Sequence, residues 1–175
     1  MRRRVIAGNW KMYKTLADTR AFFSSFPPLV SNAKHCDIVV APPFTAISTA
    51  VEAAKGSSVA IAGQNVSWSK EGAFTGEVSA PMLAEAGCRY VIIGHSERRQ
   101  LFRESDDNVA KKTLMALESG LTPIVCLGET QEERDADLAK EVFFGGARDK
   151  RSLSLSPLPC GFSMAAASSL TIFRD

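Results

Sequence analysis

Five short apolar runs recur along the chain, and longer stretches of mixed polarity separate them. The runs cover residues 5–7, 37–41, 58–62, 90–93 and 122–127. They are rich in Val and Ile and do not alternate with polar residues, which is typical of strands buried on both faces. The pattern therefore predicts five strands of a parallel sheet.

Residues that begin and end helices stand between these runs. The predicted starts are Thr15, Ser79, Ser105 and Thr130, and the predicted stops are Gly56, Gly87 and Gly120. Thr15 with Asp18, and Thr130 with Glu133, form the capping-box pattern. Ser79 predicts a helix over residues 80–86. Strand and helix thus alternate at roughly 30-residue spacing, which indicates repeated βαβ units.

One connection is too long for a simple loop. Residues 64–78 contain three charged residues, two glycines and Trp68 between the third strand and the next helix. Because compact domains seldom keep such loops without a use, we expect this one to bind something.

The pattern stops after Phe144. Residues 145–175 hold six serines, and no charge occurs from Ser152 to Phe173. Only about half of this uncharged stretch is apolar, which is too little for a membrane span. The sequence predicts one unit over residues 1–144 and a divergent, poorly ordered tail over 145–175.

Charge and cysteine usage exclude several classes of protein. The net charge is +2, from 21 basic and 19 acidic residues, which argues against nucleic acid as the main partner. Four cysteines with no C-x-x-C pair, and two histidines, predict no zinc site. The apolar run after the N-terminal arginines is too short for a signal peptide, so we expect a cytoplasmic protein.

Residues that could bind a ligand or take part in catalysis follow the first and fourth predicted strands. Asn9 and Lys11 could hold a carbonyl and an anion, and His95 stands where a helix begins at Ser96, which favours a neutral ring. From the residues alone, a lone histidine such as His95 is more often structural than catalytic, and Lys11 would most often be a surface charge. Glu129 could be a helix-start carboxylate and nothing more.

Six sequence blocks together resemble the triosephosphate isomerases. They are AGNWKM at 7–12, APPFT at 41–45, GQN at 63–65, GAFTGEVS at 72–79, GHSERR at 94–99 and CLGET at 126–130. Their order and spacing match that family over residues 4–144. The resemblance implies a (β/α)8 barrel, of which this chain has only about five βα units. The first and fifth strands would then lack a neighbour on one side.

The resemblance also implies roles for individual residues. Asn9 and Lys11 would contact the substrate, His95 would polarise its carbonyl, and Glu97 would pair with Lys11. In that family the long loop is a homodimer contact. There, Thr75 would reach the partner subunit's site, and Glu77 would face Arg98.

The implied reaction interconverts dihydroxyacetone phosphate and D-glyceraldehyde 3-phosphate, in glycolysis and gluconeogenesis, by proton transfer through an enediolate. It needs no metal and no organic cofactor. The family's general-base glutamate, in a Tyr-Glu-Pro-type stretch, has no counterpart in this sequence, and neither do its lid and phosphate loops. We therefore expect the chain alone to be nearly inactive.

Two other interpretations stay open. The chain could be a non-catalytic isomerase fragment that binds a partner subunit, or a different phosphate-binding α/β protein. The tail over residues 145–175 could come from a frameshift, an alternative exon or a truncated gene model.

Overall fold

The computed structural model describes residues 4–127 and the backbone of residues 163–166. In chain order its elements are β1 (Arg4–Asn9), α1 (Leu16–Val30), β2 (Cys36–Ala41), α2 (Ile47–Ala53), β3 (Val59–Gly63), α3 (Ala80–Glu85), β4 (Tyr90–Ile93), α4 (Ser96–Phe102), α5 (Asp106–Glu118), β5 (Thr122–Leu127) and β6 (Ser163–Ala166). A single 3-10 turn, Phe44–Ala46, precedes α2. Each of the five predicted apolar runs lies in one of the first five strands.

The strands form one parallel sheet in which spatial order follows chain order, from β1 to β6. The sheet curls into a half-barrel. Among the described strands, β1 lies at one edge and β6 at the other, so the sheet does not close on itself. The prediction of an incomplete barrel is confirmed, and so is the open edge of β1.

The prediction that the fifth strand lacks a neighbour on one side is wrong. The tail segment Ser163–Ala166 runs parallel to β5 and pairs with residues 124–127. This pairing occupies the edge of β5, whose backbone donors and acceptors would otherwise lack strand partners on that side. We predicted no strand in the tail, and the rest of it, like the predicted Thr130–Glu133 cap, lies outside the described residues.

Strands β2, β3 and β4 are buried on both faces, as the unbroken apolar runs indicated, whereas Ile6 of the edge strand β1 is 50% exposed. One face packs against the helices, where Ile38, Val91 and Ile93 meet Ile47 and Leu83. The concave face carries a second cluster formed by strand residues alone. Its fully buried members are Val39, Ala41, Ala60, Ala62, Tyr90, Ile92 and Ile124. The small alanines fit the crowded interior of a curled sheet.

Most helix ends follow the predicted signals. The Thr15 side chain accepts from Asp18 N–H, and the Asp18 carboxylate accepts from Thr15 N–H at 2.7 Å, which completes a capping box. Ser105 caps α5 through Asn108 N–H. The predicted stops Gly56, Gly87 and Gly120 all have positive φ, which side chains disfavour.

The prediction that the Ser79 side chain caps α3 is wrong. Ser79 precedes α3, but its hydroxyl makes no cap hydrogen bond and is buried without a partner. Pro81 in the first turn removes one of the N–H groups that a cap would satisfy, and its fixed φ suits the start of a helix. The backbone therefore starts α3 without help from the Ser79 side chain.

None of the helices described is both long and apolar enough to cross a membrane.

Candidate active site

Asn9 and Lys11 lie at the carboxyl end of β1, where the chain leaves the sheet. The Asn9 side-chain oxygen accepts the N–H of Lys11 at 2.9 Å. Lys11 has φ of +53°, a left-handed conformation that is uncommon for residues other than glycine. The turn therefore holds Lys11 in a strained backbone conformation, a feature that concentrates at functional sites.

Gln64 fixes this turn from the neighbouring strand end. Its Nε2 donates to the carbonyl oxygens of Lys11 and Ala41, both at 2.8 Å. The bonds join the ends of β1, β2 and β3, because Gln64 directly follows β3. Sequence reasoning included Gln64 only in a motif block, since neither partner is close to it along the chain.

Lys11 forms an ion pair with Glu97. Its Nζ lies 2.6 Å from Glu97 Oε1, and the two side chains are 32% and 44% exposed. The pairing that the resemblance implied is therefore present. Because both groups are partly solvated, the pair itself contributes little to stability, but it orients the Lys11 ammonium group.

His95 lies at the N-terminus of α4, as the sequence predicted. Its Nδ1 accepts the backbone N–H of Glu97 at 3.2 Å. A neutral imidazole that accepts at Nδ1 carries its proton on Nε2. His95 therefore presents an N–H donor on the opposite side of the ring.

The pKa of His95 lies below its ordinary value of 6.5. Burial of the ring is the largest cause, since it disfavours the charged form. Glu97 opposes the shift and Lys11 adds to it. We expected a neutral ring because of the helix N-terminus, whereas burial is the stronger cause.

The resemblance assigns Thr75, Glu77 and Arg98 to a subunit interface. Thr75 and Glu77 are exposed in the long loop, as that assignment requires. The Arg98 guanidinium lies 4.8 Å from the ring centroid of Phe102, and its Nε lies 3.8 Å from Glu104 Oε1. Their roles at an interface stay predictions.

A buried charged cluster lies behind the site, and sequence reasoning missed it. Lys112 on α5 pairs with Glu104 and donates to Asn65 Oδ1 at 2.8 Å. Both charged side chains are only 3% exposed. On the sequence, Glu104 and Lys112 are ordinary polar residues of a helical region. Only the fold brings Asn65, 47 positions away, next to Lys112.

Two cysteines behave as core residues. Burial raises the pKa of the Cys88 thiol to about 12 and that of Cys126 to about 11. Thiolate is therefore scarce at neutral pH, which agrees with the structural interpretation of Cys126.

Glu129 lies outside the described residues. Within the described part of the chain, no three His, Cys, Asp or Glu side chains gather into a cluster that could hold a metal.

The fold and this geometry define a class of protein. It is an α/β protein of the parallel barrel type, with a polar site at the carboxyl ends of its strands. The site combines an ammonium group, a carboxylate and a neutral imidazole donor. Such a set can hold an anion and stabilise negative charge that develops on a nearby oxygen.

Comparison with known proteins narrows the class. The profile of the triosephosphate isomerase family matches residues 4–150. The triosephosphate isomerase of Solibacter usitatus is 57% identical over 145 residues, and that of Moorella thermoacetica is 54% identical over 142. These matches cover 83% and 81% of this chain. The chain belongs to the triosephosphate isomerase family.

A solved structure agrees with this assignment. The crystal structure of triosephosphate isomerase from Bartonella henselae superposes with a TM-score of 0.75 at 36% sequence identity, covering 83% of this chain and 62% of that one. The match to the Solibacter and Moorella relatives spans 58% and 57% of their lengths.

Proposed function

We propose that the chain carries the carbonyl-polarising half of a triosephosphate isomerase site. The complete reaction interconverts dihydroxyacetone phosphate and D-glyceraldehyde 3-phosphate, a step of glycolysis and gluconeogenesis. A proton moves between two adjacent carbons through an enediolate. The observation that carries the proposal is the His95 ring, whose Nδ1 is occupied by Glu97 N–H, so that Nε2–H is the donor.

The enediolate chemistry suits this donor. As the proton leaves carbon, negative charge develops on the carbonyl oxygen, and a neutral Nε2–H can donate to it and transfer a proton. The Lys11 ammonium group supplies positive charge for the phosphate and for the developing oxyanion. Asn9 uses its side-chain oxygen on Lys11 N–H, so its amide NH2 group is the part that would contact substrate.

Removal of the carbon-bound proton needs a carboxylate base within reach of the carbon. Glu97 is engaged with Lys11 at 2.6 Å and is placed to orient that side chain. The sequence has no Tyr-Glu-Pro stretch to supply the family's base. Loss of a positioned base costs about 10²–10⁴ in rate, so we expect the 175-residue chain alone to turn over very slowly.

The test separates binding from proton abstraction. Purified chain is mixed with dihydroxyacetone phosphate in D2O, and both product formation and deuterium incorporation at carbon are followed by NMR. We expect substrate to perturb the His95 resonances while deuterium exchange stays far below that of a full-length relative. His95→Ala removes the donor, and His35→Ala, at an exposed histidine, is the matched control. Turnover equal to the relative's, or no effect of substrate on His95, would refute the proposal.

Exposed aromatic side chains in the long loop support binding to a partner protein. Trp68 and Phe74 are 41% and 42% exposed. Their rings pack edge to face, with 6.1 Å between the ring centroids. Large aromatic side chains are enriched at protein interfaces. The proposed partner is a second isomerase subunit, either another copy of this chain or, in the alternative function, a full-length subunit that this chain binds as a non-catalytic fragment. Thr75 would then contact the partner's active site, and Glu77 would face Arg98 across the interface.

A cytoplasmic location fits the cysteines. Cys88 and Cys126 are free thiols in the part of the chain that the structure describes, as a reducing compartment permits. The proposed function involves no nucleic acid, no membrane, and neither a metal nor an organic cofactor.

A further inference from the structure

Arg99 joins the ends of two strands next to the candidate site. Its Nε donates to the carbonyl oxygen of Gly94 at 2.9 Å, and its Nη2 donates to that of Cys126 at 3.4 Å. Its Nη1 pairs with Asp106 at 2.6 Å. One guanidinium group thus connects the carboxyl ends of β4 and β5 with the first turn of α5.

The Gly94 carbonyl is the important partner, because the next residue is His95. Gly94 has φ of +72°, and a Cβ there would lie 2.9 Å from Val109 Cγ2 and 3.1 Å from Arg99 Nη2. The peptide between Gly94 and His95 is therefore packed on one side by Val109 and hydrogen-bonded by Arg99. The orientation of this peptide sets the direction in which the His95 side chain leaves the backbone.

The direction of the ring decides which group its Nδ1 meets. Glu97 offers two choices: its backbone N–H, which donates to Nδ1 at 3.2 Å, and its carboxylate Oε2, which lies 3.5 Å from the same nitrogen. The first choice places the proton on Nε2. The second would favour a proton on Nδ1, because the carboxylate oxygen can only accept. A small rotation of His95 would therefore change which tautomer is favoured, with the proton lost from Nε2 to solvent and one gained from solvent at Nδ1.

We propose that Arg99 is a positioning residue that fixes the Nε2–H tautomer of His95 by holding the Gly94 carbonyl to the end of β5. The inference rests on the proposed function for its catalytic meaning, since only Nε2–H can face a substrate. Its physical content is independent of that function. The neighbouring Arg98 does not share this role, because its guanidinium faces Glu104 and Phe102.

The test measures the His95 tautomer without substrate. The full chain, labelled with ¹⁵N at the histidine rings, is studied by long-range ¹H–¹⁵N NMR at a pH above 6.5, where a histidine of ordinary pKa is mostly neutral. His95→Gln identifies the His95 signals. We expect the Nε2–H form to predominate in the wild-type chain, with a small Nδ1–H share. Arg99→Lys keeps the charge but cannot span two carbonyl oxygens, and we expect the Nδ1–H share to rise about fivefold, as the weakening of one hydrogen bond allows.

Two further variants make the outcome decisive. Asp106→Asn removes only the negative charge of the exposed partner of Arg99, and we expect the wild-type tautomer. Arg99→Ala is expected to match or exceed the effect of Arg99→Lys. A wild-type tautomer in folded Arg99→Lys would overturn the proposal, whatever Arg99→Ala does, because charge alone would then suffice. Full turnover, or no effect of substrate on the His95 resonances, would refute the proposed function but leave the tautomer result untouched, so the two failures are distinguishable.

Discussion

The ionisation of His95 is controlled by burial and by two side chains of opposite charge. Burial and Lys11 lower the pKa of the ring, while Glu97 raises it. We therefore expect Lys11→Met to raise the pKa of His95 and Glu97→Gln to lower it further. An NMR titration of the ring measures both shifts. Changes of the same sign in the two variants would contradict this account of the site.

The same pKa affects stability. Because the pKa of folded His95 is below 6.5, the unfolded chain binds this proton at a higher pH than the folded chain. The contribution of His95 to the free energy of unfolding is thus complete above pH 6.5 and is lost as the pH falls through the folded pKa. The difference between wild type and His95→Gln in urea unfolding, measured at several pH values, isolates this contribution.

The buried charge of Lys112 predicts a large loss of stability on substitution. Lys112→Met would remove the closer counter-ion of the buried Glu104 carboxylate, leaving Arg98 Nε at 3.8 Å, and would take from Asn65 Oδ1 the donor it has now. Such a loss costs about 3–5 kcal/mol. Lys111→Met at the adjacent exposed residue, which pairs with Asp107 on the helix surface, should cost less than about 1 kcal/mol. Equal unfolding midpoints in urea for the two variants would show that the buried pair is not important.

At the scale of secondary structure, α1 and α3 both follow a hydroxyl residue, but the two hydroxyl groups contribute differently to stability. The Thr15 hydroxyl accepts a hydrogen bond at the start of α1, whereas the Ser79 hydroxyl accepts none at the start of α3. Thr15→Ala should therefore cost about 1 kcal/mol of stability. Ser79→Ala should be neutral or stabilising, because it removes an unsatisfied buried polar group. Thermal unfolding monitored by circular dichroism compares them, and the reverse order would refute the assignment.

These helix starts illustrate what the sequence could predict. The strands were predictable because burial on both faces leaves a local signature, an unbroken apolar run, and the helix boundaries because caps and glycines act within a few residues. The partners of Arg99, Lys112 and Gln64 were not predictable. The most distant partner of each residue lies 27, 47 and 53 positions away along the chain, respectively. No local sequence pattern indicates such a contact. The strand β6 was missed because small polar and apolar residues carry no strong strand signal.

At the scale of the whole molecule, the exposed aromatic pair of the long loop predicts association. Replacing both Trp68 and Phe74 with Ser should shift the chain from dimer to monomer in analytical ultracentrifugation. The free energy of unfolding of the monomer should change little, since both rings are partly exposed. Leu29→Ser, at an 81% exposed apolar residue of α1, is the control and should not alter the mass. A wild-type chain that stays monomeric at micromolar concentration would contradict the proposed interface.

The order of the strands has a consequence for synthesis on the ribosome. Each strand from β2 to β5 pairs with the one that emerged just before it, so none of these strands waits for a distant segment. The N-terminal part of a chain leaves the ribosome first during translation. Successive βα units can thus dock on a growing sheet, and each addition buries the edge that the previous one exposed. Chains halted at different lengths are expected to hold nested versions of the same curled sheet, distinguishable by their resistance to a protease.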